Sequence, residues 1–363
     1  MTGVYIHIPF CRRKCPYCDF YSVGYSKEKA DTYTENVCRA VGHFSERIGQ
    51  KADTLYFGGG TPSIIGAERL CRIVGEVREK FGFADEAEIT VEVNPEKQDI
   101  DFELMRKCGI NRLSIGLQSA SDRELQILGR LHDVKQAERC IEKAKNAGFA
   151  NISLDLMIAT PMQTKDSLEK SIEFCAERKV QHISAYILKI EHGTPYHDMR
   201  EKLDICSDDE QAEMYLFAVD KLKEYGYGQY EISNFCKEGF ESRHNLKYWH
   251  DEEYIGIGSS AHSFVNGKRF YFSRSFEDFY ALKTVSDGDG GSEEEFIMLA
   301  LRLTEGLTEE RFNARFGKCI PDRYRRNAEK FSKHAFLEID KNSIRLTPKG
   351  FLISNYIISE ILD

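Results

Sequence analysis

The 363-residue sequence lacks an uninterrupted apolar run near the roughly 18 residues that a membrane-spanning helix needs. Near its N-terminus it also lacks a basic start followed by a long apolar core, so we expect no secretion signal and a cytoplasmic protein. Basic residues are not in excess either, because 50 Lys and Arg stand against 59 Asp and Glu, for a net charge of −9. Proteins that grip a nucleic-acid backbone usually present a basic surface, so nucleic acid is not an expected partner.

Cysteine is too scarce for a disulfide scaffold, with eleven residues in the whole chain. The odd count and the expected cytoplasmic location argue against disulfide bonds. Eight cysteines are scattered singly, and we expect each to be a small buried hydrophobe. They are Cys38, Cys71, Cys108, Cys140, Cys175, Cys206, Cys236 and Cys319. The other three form one short run, Cys11, Cys15 and Cys18, spaced C-x3-C-x2-C.

Short β-branched segments alternate with longer amphipathic segments from residue 4 to about residue 190. The predicted strands are Val4–Ile8, Thr54–Phe57, Glu88–Val93, Arg112–Leu117, Asn151–Ile158 and His182–Leu188. The predicted helices include Lys27–Ile48, Ala67–Phe81, Asp101–Lys107, Asp122–Ala147 and Thr164–Arg178. Six such units predict an α/β fold, a partial (β/α)6 barrel of TIM type, with functional residues after the carboxyl ends of the strands.

The pattern changes beyond residue 200, so we expect three regions: a barrel over residues 1–200, an α+β region over 201–290 and a small module over 291–363. The sequence Asp287–Ser292 (DGDGGS) predicts a flexible, turn-rich boundary. In the last region, two helical stretches precede a hairpin over Phe336–Leu346 that turns at Lys341 and Asn342, and a closing helix follows. This order suggests a winged-helix-like module.

Polar or glycine-rich residues accompany the ends of five predicted strands. In chain order they are the cysteine run, Gly58–Pro62 (GGGTP), Glu92–Pro95, Gln118–Ser119, and Asp155 ahead of Ala159–Pro161. The carboxyl ends of neighbouring parallel strands meet at one edge of a sheet. We therefore predict that these residues converge on one site.

The cysteine run indicates a metal centre. Three thiolates on one short loop can hold an iron–sulfur cluster, and a four-iron cube would then keep one iron without a protein ligand. A closed structural zinc site prefers four ligands, and no second Cys/His pair lies at finger spacing. The alternatives are an unusual zinc site or three core thiols.

The cysteine spacing, Tyr17 before the third cysteine and the GGGTP loop resemble the radical S-adenosylmethionine (SAM) superfamily. The resemblance implies a [4Fe–4S] cluster on Cys11, Cys15 and Cys18. SAM would bind its open iron, and reduction would cleave SAM to a 5′-deoxyadenosyl radical. A glycine loop suits such a site because its exposed N–H groups can approach a carboxylate closely.

Further motifs, Tyr5–Cys11 (YIHIPFC), Glu92–Pro95 (EVNP) and Gly116–Ser119 (GLQS), resemble the subgroup that contains oxygen-independent coproporphyrinogen III oxidase. The resemblance covers nearly the whole chain. Carried over by motif, the SAM site would be lined by Tyr5, Gly60, Thr61, Glu92, Gln118, Arg130 and Asp155. These residues also have structural alternatives. Glu92 and Asp155 could cap helices, Arg130 could be a solvated helix residue, and Tyr5 could belong to the core.

Two departures separate the chain from that oxidase. The oxidase has a longer N-terminal extension, whereas here the cysteine run begins at residue 11. It also has a further cysteine two residues after the third cluster cysteine, whereas this chain has Phe20. Both differences argue against porphyrinogen decarboxylation, and we assign no catalytic residue.

A second motif, His244–Trp249 (HNLKYW), contains the only tryptophan and resembles the haem chaperone branch of the subgroup, called HemW. Members of that branch bind haem and deliver it to respiratory enzymes. The implied haem residues are His244, Tyr248 and Trp249, because histidine can ligate haem iron and aromatic rings can pack on the macrocycle. His250 and His262 are competing ligands. In the structural alternative, His244 only hydrogen-bonds in the core and the two aromatic residues only pack.

Two functions follow from these resemblances. The first is a haem-binding and haem-delivering protein with a [4Fe–4S] cluster, SAM and haem as cargo. Its partners would be haem-acceptor proteins, among them respiratory enzymes, with homodimers and transient contact with a membrane surface through those partners as further expectations. The alternative is a radical SAM enzyme of the oxygen-independent coproporphyrinogen III oxidase type. Phe20 and the HNLKYW motif favour the first, and the complete cluster and SAM motifs keep the second open.

Overall fold

A computed structural model describes residues 1–96 and 99–363. The first elements are β1 (Thr2–Ile8), β2 (Phe10–Cys11), β3 (Val23–Gly24), α1 (Lys27–Ile48), β4 (Ala52–Gly59), α2 (Ala67–Lys80), β5 (Phe83–Val93), α3 (Phe102–Lys107), β6 (Arg112–Gln118), α4 (Asp122–Ile127), α5 (Val134–Asn146), β7 (Asn151–Ile158), α6 (Lys165–Glu177) and β8 (His182–Ile187). The next are α7 (Pro195–Met199), α8 (Asp208–Glu224), β9 (Gly228–Gln229), β10 (Asn234–Cys236), α9 (Arg243–Trp249), β11 (Tyr254–Ile257), β12 (His262–Val265), β13 (Lys268–Phe272), α10 (Phe276–Tyr280) and β14 (Thr284–Asp289). The last are α11 (Glu293–Ala300), β15 (Leu307–Thr308), α12 (Glu309–Phe316), α13 (Asp322–Ser332), β16 (Leu337–Ile339), β17 (Ser343–Leu346), α14 (Pro348–Leu352) and α15 (Ser354–Leu362). None of the helices in these two ranges is long and apolar enough to cross a membrane.

The six predicted strands form one parallel sheet in the order β1-β4-β5-β6-β7-β8, with helices between them in the chain. The predicted partial barrel is therefore confirmed. A seventh strand, β11, pairs in parallel with the outer side of β1, through partners such as Tyr5 and Gly256. This pairing joins residues about 250 positions apart, which no local sequence pattern reveals.

The two faces of the parallel strands differ in chemistry because successive side chains point to opposite sides. In β7, Ile152, Leu154 and Leu156 belong to the hydrophobic core that also includes residues of the helices. The alternate residues Ser153 and Asp155 instead make side-chain hydrogen bonds to residues of neighbouring strands. The barrel consequently has an apolar outer face under its helices and a polar interior, and the interior holds the candidate site.

Antiparallel strands extend the parallel sheet at both edges to a total of twelve among the described residues, β10-β9 beside β8 and β12-β13-β14 beside β11. The expected flexible boundary at Asp287–Ser292 is wrong for its first three residues. Asp287, Gly288 and Asp289 belong to β14, which pairs with β13 and is exposed along its length. Pairing with a neighbouring strand overrides the turn preference of Asp and Gly.

The helix predicted over Asp122–Ala147 is two helices, so that prediction is wrong in its middle. Gly129 has φ +67 after the end of α4, and Asp133 caps α5 together with Gln136 in a capping box. A side chain at Gly129 would stand 2.7 Å from Pro16 of the cysteine run. The break therefore lets Arg130 leave the helix surface beside the cysteines.

The C-terminal residues form helices around a three-stranded sheet ordered β15-β17-β16. The predicted hairpin is confirmed, because β16 and β17 pair across the turn at Lys341 and Asn342. Three helices, α11, α12 and α13, precede this hairpin instead of the two expected. The winged-helix description and the region boundaries at residues 200 and 290 stay predictions.

The scattered cysteines follow the expectation in part. Four are buried as small hydrophobes: Cys38, Cys140, Cys175 and Cys236. Cys206 is half-buried and Cys319 is exposed, contrary to the expectation. Cys71 of α2 and Cys108 after α3 are paired as a disulfide. The expectation of no disulfide is wrong at this pair, because the adjacent packing of α2 and α3 brings two distant thiols together.

Candidate cofactor site and adjoining cleft

The cysteine run forms a loop at the carboxyl end of β1. Its three thiols are free and half-buried, and the Cys18 N–H donates to the Cys15 carbonyl at 3.1 Å. Burial raises the pKa of Cys11 and of Cys18, so binding a metal must displace their protons. Among the described residues, no three His, Cys, Asp or Glu side chains are grouped to hold one ion. A cluster binds each thiolate through a different iron, so the donor set fits a cluster better than a single zinc ion.

Arg130 connects the cysteine loop to two strand ends. Its guanidinium donates to Cys15 Sγ at 3.7 Å, to Asn94 Oδ1 at 2.7 Å and to the Gly116 carbonyl at 2.9 Å. The alternative of a solvated helix residue is therefore wrong. The buried Nε atom has no hydrogen-bond partner in the described part of the chain, so it can still donate to an anionic ligand.

The glycine loop after β4 lets β2, the strand that ends at Cys11, lie close to the loop backbone. A Cβ atom at Gly60 would stand 2.7 Å from the Phe10 carbonyl oxygen, so only glycine fits there. Next to it, the Thr61 N–H donates to the same carbonyl at 2.8 Å. The Thr61 hydroxyl accepts from Asn94 at 2.9 Å and lies 3.6 Å from Cys11 Sγ. Gly60 and Thr61 thus lie directly beside the first cluster cysteine.

Glu92 is an interior carboxylate and caps no helix. It accepts from the Tyr56 hydroxyl at 3.0 Å and from the Gly59 N–H at 3.2 Å. Burial and then the charge of Asp155 raise the pKa of Glu92 to about 7. Asp155 accepts from Ser114 Oγ at 2.9 Å and also caps no helix, and burial raises its pKa to about 6. Two acids that each ionise near neutral pH therefore share the interior.

Gln118 and Arg130 meet at the end of β6. Gln118 has φ 69, an unusual backbone conformation for a residue with a side chain. A Cβ atom at Gly116 would stand 3.0 Å from Arg130, from Asn94 and from Gln118, so glycine leaves the room that these polar groups occupy. Tyr5, the remaining predicted residue, has its hydroxyl 3.0 Å from His7 Nδ1 and faces a cleft. The predicted residues are thus brought together, and their assignment to SAM stays a prediction.

The HNLKYW motif forms α9, which enters the barrel interior from its amino-terminal end. His244 is buried, with Nδ1 2.7 Å from Thr54 Oγ1 and Nε2 2.8 Å from the Tyr248 hydroxyl. Burial lowers the pKa of His244 to about 3, so its ring is neutral. Both ring nitrogens are hydrogen-bonded, as in the structural alternative for this residue. Trp249 is half-buried, and a haem role for the motif stays a prediction.

Charged groups inside the barrel hold α9 in place. The Glu88 carboxylate accepts from the backbone N–H groups of Arg243 at 3.2 Å and of His244 at 3.1 Å, which caps the first turn of the helix. Lys247 lies 2.8 Å from Asp53 of β4. These contacts hold α9 at the amino-terminal end of the barrel interior.

A cleft of about 440 Å³ lies at the other end of the barrel. It is lined by Tyr5, His7, Asp19, Phe20, Tyr21, Gly59, Glu92, Tyr248, Tyr254, Ser260, His262 and Arg274. Phe20 is 64% exposed there, although it is a large apolar residue. Sequence reasoning missed Tyr254 and Arg274, because only the pairing of β11 with β1 brings the residues after position 250 to the cysteine loop. It also missed Tyr21, which follows the cysteine run directly and lines the same cleft.

Comparison with known proteins gives matches along the whole chain. Residues 5–175 match the sequence model of the radical SAM superfamily, and residues 294–353 match that of the HemN C-terminal domain. The heme chaperone HemW of Bacillus subtilis is 31% identical, over 100% of this chain and 99% of its own length. The heme chaperone HemW of Lactococcus lactis is 33% identical, over 99% of this chain and 97% of its own length. The heme chaperone HemW of Escherichia coli is 32% identical, over 99% of this chain and 98% of its own length.

Among solved structures, coproporphyrinogen III oxidase (HemN) from Escherichia coli, a radical SAM enzyme, superposes with a TM-score of 0.83. The superposition covers 99% of this chain and 89% of that chain at 21% identity. The likeness shows that the two chains share a fold, in agreement with the predicted barrel of radical SAM type.

Proposed function

The chain belongs to the HemW family within the radical SAM superfamily, and from this premise we propose that it binds haem and delivers it to haem-dependent proteins. The observation on which the proposal rests is the similarity over the full length to proteins named heme chaperones, at 31% to 33% identity. The geometry supports it, because an open cleft with aromatic, histidine and arginine side chains lies at the carboxyl end of the barrel.

Membership of the superfamily implies a [4Fe–4S] cluster and SAM, and the residues present fit both groups. Cys11, Cys15 and Cys18 would hold the cluster, with Arg130 fixing the loop through Cys15. When bound together, a reduced cluster and SAM supply one-electron chemistry. In the proposed SAM site, Glu92 would accept a hydrogen bond from the amino group of SAM. The unpartnered Nε of Arg130 offers a donor to the SAM carboxylate.

The proposed SAM site adjoins the proposed haem cleft. Tyr5, Gly59 and Glu92 line the cleft and also belong to, or contact, the predicted SAM residues. A ligand in either place therefore changes the walls of the other. This arrangement suits a carrier in which the cofactors regulate the binding of the cargo.

Within the HNLKYW motif, we place Tyr248 in the haem site and His244 as the residue that positions it. Tyr248 lines the cleft, and its hydroxyl is held 2.8 Å from His244 Nε2. The ring of Tyr248 also packs edge-on against Tyr254 at 4.5 Å between centroids. Trp249 follows on the same helix, half-buried, and remains a proposed member of the site.

The finer features of delivery are proposals too. We propose respiratory enzymes as acceptors, reached in the cytoplasm with transient contact at a membrane surface through those partners. We also propose a homodimer, which the exposed edge strand β14 supports, since an unpaired strand edge is a template for pairing with a second chain. The oxidase function is less supported, because the oxidase is only 21% identical to this chain and Phe20 stands where its further cysteine is expected.

The test is a haem titration of anaerobically reconstituted protein, read as difference absorbance against the same protein without haem. In parallel, coproporphyrinogen III, SAM and a strong reductant are added and the products are separated by chromatography. We expect one haem per chain and no decarboxylated porphyrinogen. Absence of haem binding, or decarboxylation over many turnovers, would contradict the proposal.

A matched pair of cysteine variants tests whether haem binding needs the iron–sulfur cluster. Cys15→Ser removes a proposed cluster ligand, whereas Cys319→Ser changes an exposed cysteine far from the loop in sequence. We expect C15S to lose most of its iron and sulfide yet still bind haem, and C319S to behave as the unchanged protein. These variants show whether haem binding depends on the cluster.

A further inference from the structure

Three histidines near the cleft have both ring nitrogens engaged. His7 contacts the Tyr5 hydroxyl at 3.0 Å and the Tyr21 carbonyl at 3.2 Å. His244 lies between Thr54 and Tyr248, as described above. The ring of His250 lies between two carboxylates, with Glu252 at 3.7 Å from Nδ1 and Glu305 at 3.5 Å from Nε2. For any of them to ligate iron, an existing contact must first break.

His262, the first residue of β12, differs from these three. Its side chain lines the cleft and is 58% exposed. Nδ1 lies 3.9 Å from Asp287 Oδ2, and the ring stacks on Tyr271 with 4.9 Å between centroids. Nε2 has no hydrogen-bond partner within residues 1–96 and 99–363. Histidines that ligate metals commonly turn their other nitrogen to a carboxylate, which fixes the ring and raises its basicity.

The same cleft has groups that fit the rest of a haem. The exposed ring of Phe20 and the rings of Tyr21 and Tyr254 give an apolar macrocycle surfaces to pack on. Arg274 is exposed, lies 5.9 Å from the centroid of the Tyr21 ring, and has no ion pair with a described carboxylate. A propionate can therefore pair with Arg274 without displacing another acid.

Two acids also line the cleft and limit how haem can lie in it. Asp19 and Glu92 repel propionates, so the propionate edge must turn away from them and toward Arg274. A cleft of about 440 Å³ with exposed Phe20 and His262 side chains also leaves part of a haem open to solvent. A partly exposed cargo is easier to transfer to a second protein than an enclosed one.

We propose that haem binds in this cleft with its iron on Nε2 of His262 and a propionate on Arg274. The inference rests on the proposed haem binding and adds to it the iron ligand and the propionate partner.

The experiment compares His262→Gly and His334→Gly, an exposed histidine in the C-terminal region, in haem titrations of cluster-loaded protein. We expect H262G to bind haem at least about tenfold more weakly and to lose the imidazole-ligand signature in electron paramagnetic resonance. Added imidazole should restore that signature by filling the space left by the side chain. H334G should match the unchanged protein. Should H262G not fold, His262→Gln, which keeps the side-chain volume, replaces it.

The propionate contact is tested with Arg274→Gln and with haem dimethyl ester, in which the propionates are uncharged. We expect R274Q to bind haem about three- to tenfold more weakly with the same axial ligand. We expect the ester to bind R274Q and the unchanged protein equally.

The outcomes separate the two proposals. If the unchanged protein does not bind haem, the proposed function fails and the cleft assignment falls with it. If it binds haem, and H262G keeps the imidazole signature while His244→Gln loses it, the proposed function stands and the His262 assignment is overturned.

Discussion

Glu92 lies in the barrel interior between a hydrogen-bonding tyrosine and the neighbouring acid Asp155. Its carboxylate is held by Tyr56 and Gly59, and burial with the charge of Asp155 raises its pKa to about 7. At acidic pH the group is therefore neutral in the folded protein. A cationic ligand that donates a hydrogen bond to the carboxylate stabilises the ionised form, so proton release and SAM binding are linked at this residue.

If Glu92 binds the amino group of SAM, SAM affinity should rise with pH between about pH 6 and about pH 8 and level off above that range. The sign follows because protonation below a pKa of about 7 removes the negative charge that SAM needs. Glu92→Gln should lower the affinity about tenfold and flatten this rise. The measurement is titration calorimetry of SAM on the reconstituted protein at a series of pH values.

Glu231 supplies a control with a similar titration. Burial raises its pKa to about 7 as well, but it lies beside β9 and β10 at an edge of the sheet. Glu231→Gln should leave the pH profile of SAM binding unchanged. An E92Q variant with the same pH-dependent rise as the unchanged protein would remove Glu92 from the site.

Helix α9 is held inside the barrel more by charge than by an apolar face. Lys247 is buried, with Nζ 2.8 Å from Asp53 and 2.9 Å from Glu252. Asp53 Oδ1 has no hydrogen-bond partner in the described structure, so Lys247 is the main compensation for this acid. Loss of one partner from a buried ion pair leaves an uncompensated charge, which costs more than the pair contributes.

Lys247→Met keeps the length of the side chain and removes its charge. We expect a loss of about 3 kcal/mol in the free energy of unfolding, since Asp53 then stays buried without a cation. Urea denaturation of the cluster-free protein measures this loss.

A second substitution tests the cause. In the double variant with Asp53→Asn, the unpaired charge is gone, and a large part of the stability should return. Equal instability of the single and double variants would mean that K247M acts through packing and not through charge.

At the scale of the whole molecule, buried charges also join the C-terminal module to the extended sheet. Asp251, which follows α9, is buried and lies 3.4 Å from Arg269 of β13 and 3.2 Å from Arg315 of α12. Arg269 also lies 2.6 Å from Glu295 of α11. Burial and then the charge of Glu295 raise the pKa of Asp251 to about 6, so the two arginines are needed to keep these acids close together.

Arg269→Met should destabilise this junction by about 2 kcal/mol, because Asp251 and Glu295 then repel each other with less compensation. We expect lower urea stability and faster hydrogen exchange in α11. Lys268→Met is the matched control, since Lys268 pairs with Asp289 on the exposed edge strand. Its removal should change neither measurement detectably. Unchanged exchange in α11 of R269M would show that apolar packing alone joins the module.

Local patterns in the sequence were enough to predict the barrel and to propose the chemistry of its cofactor site. Alternation of strands and helices is a local pattern, and the spacing of Cys11, Cys15 and Cys18 lies within one loop. Carboxyl ends of parallel strands meet by construction, so Glu92 and Gln118 could be placed before their contacts were known. The position of Arg130 could be predicted only in part. Gly129 within a helical pattern indicates that the helix is interrupted there, but not where Arg130 points.

The surroundings of the cleft depend on long-range strand pairing that local sequence patterns could not predict. His262, Arg274 and Tyr21 come together because β11 pairs with β1 across about 250 residues, and a pairing of that separation leaves no periodic trace in the chain. The same holds for His244, whose ring nitrogens are engaged by Thr54 and Tyr248. A sequence motif shows which side chains could bind a ligand. Long-range packing determines which of their donor and acceptor atoms are left without another partner.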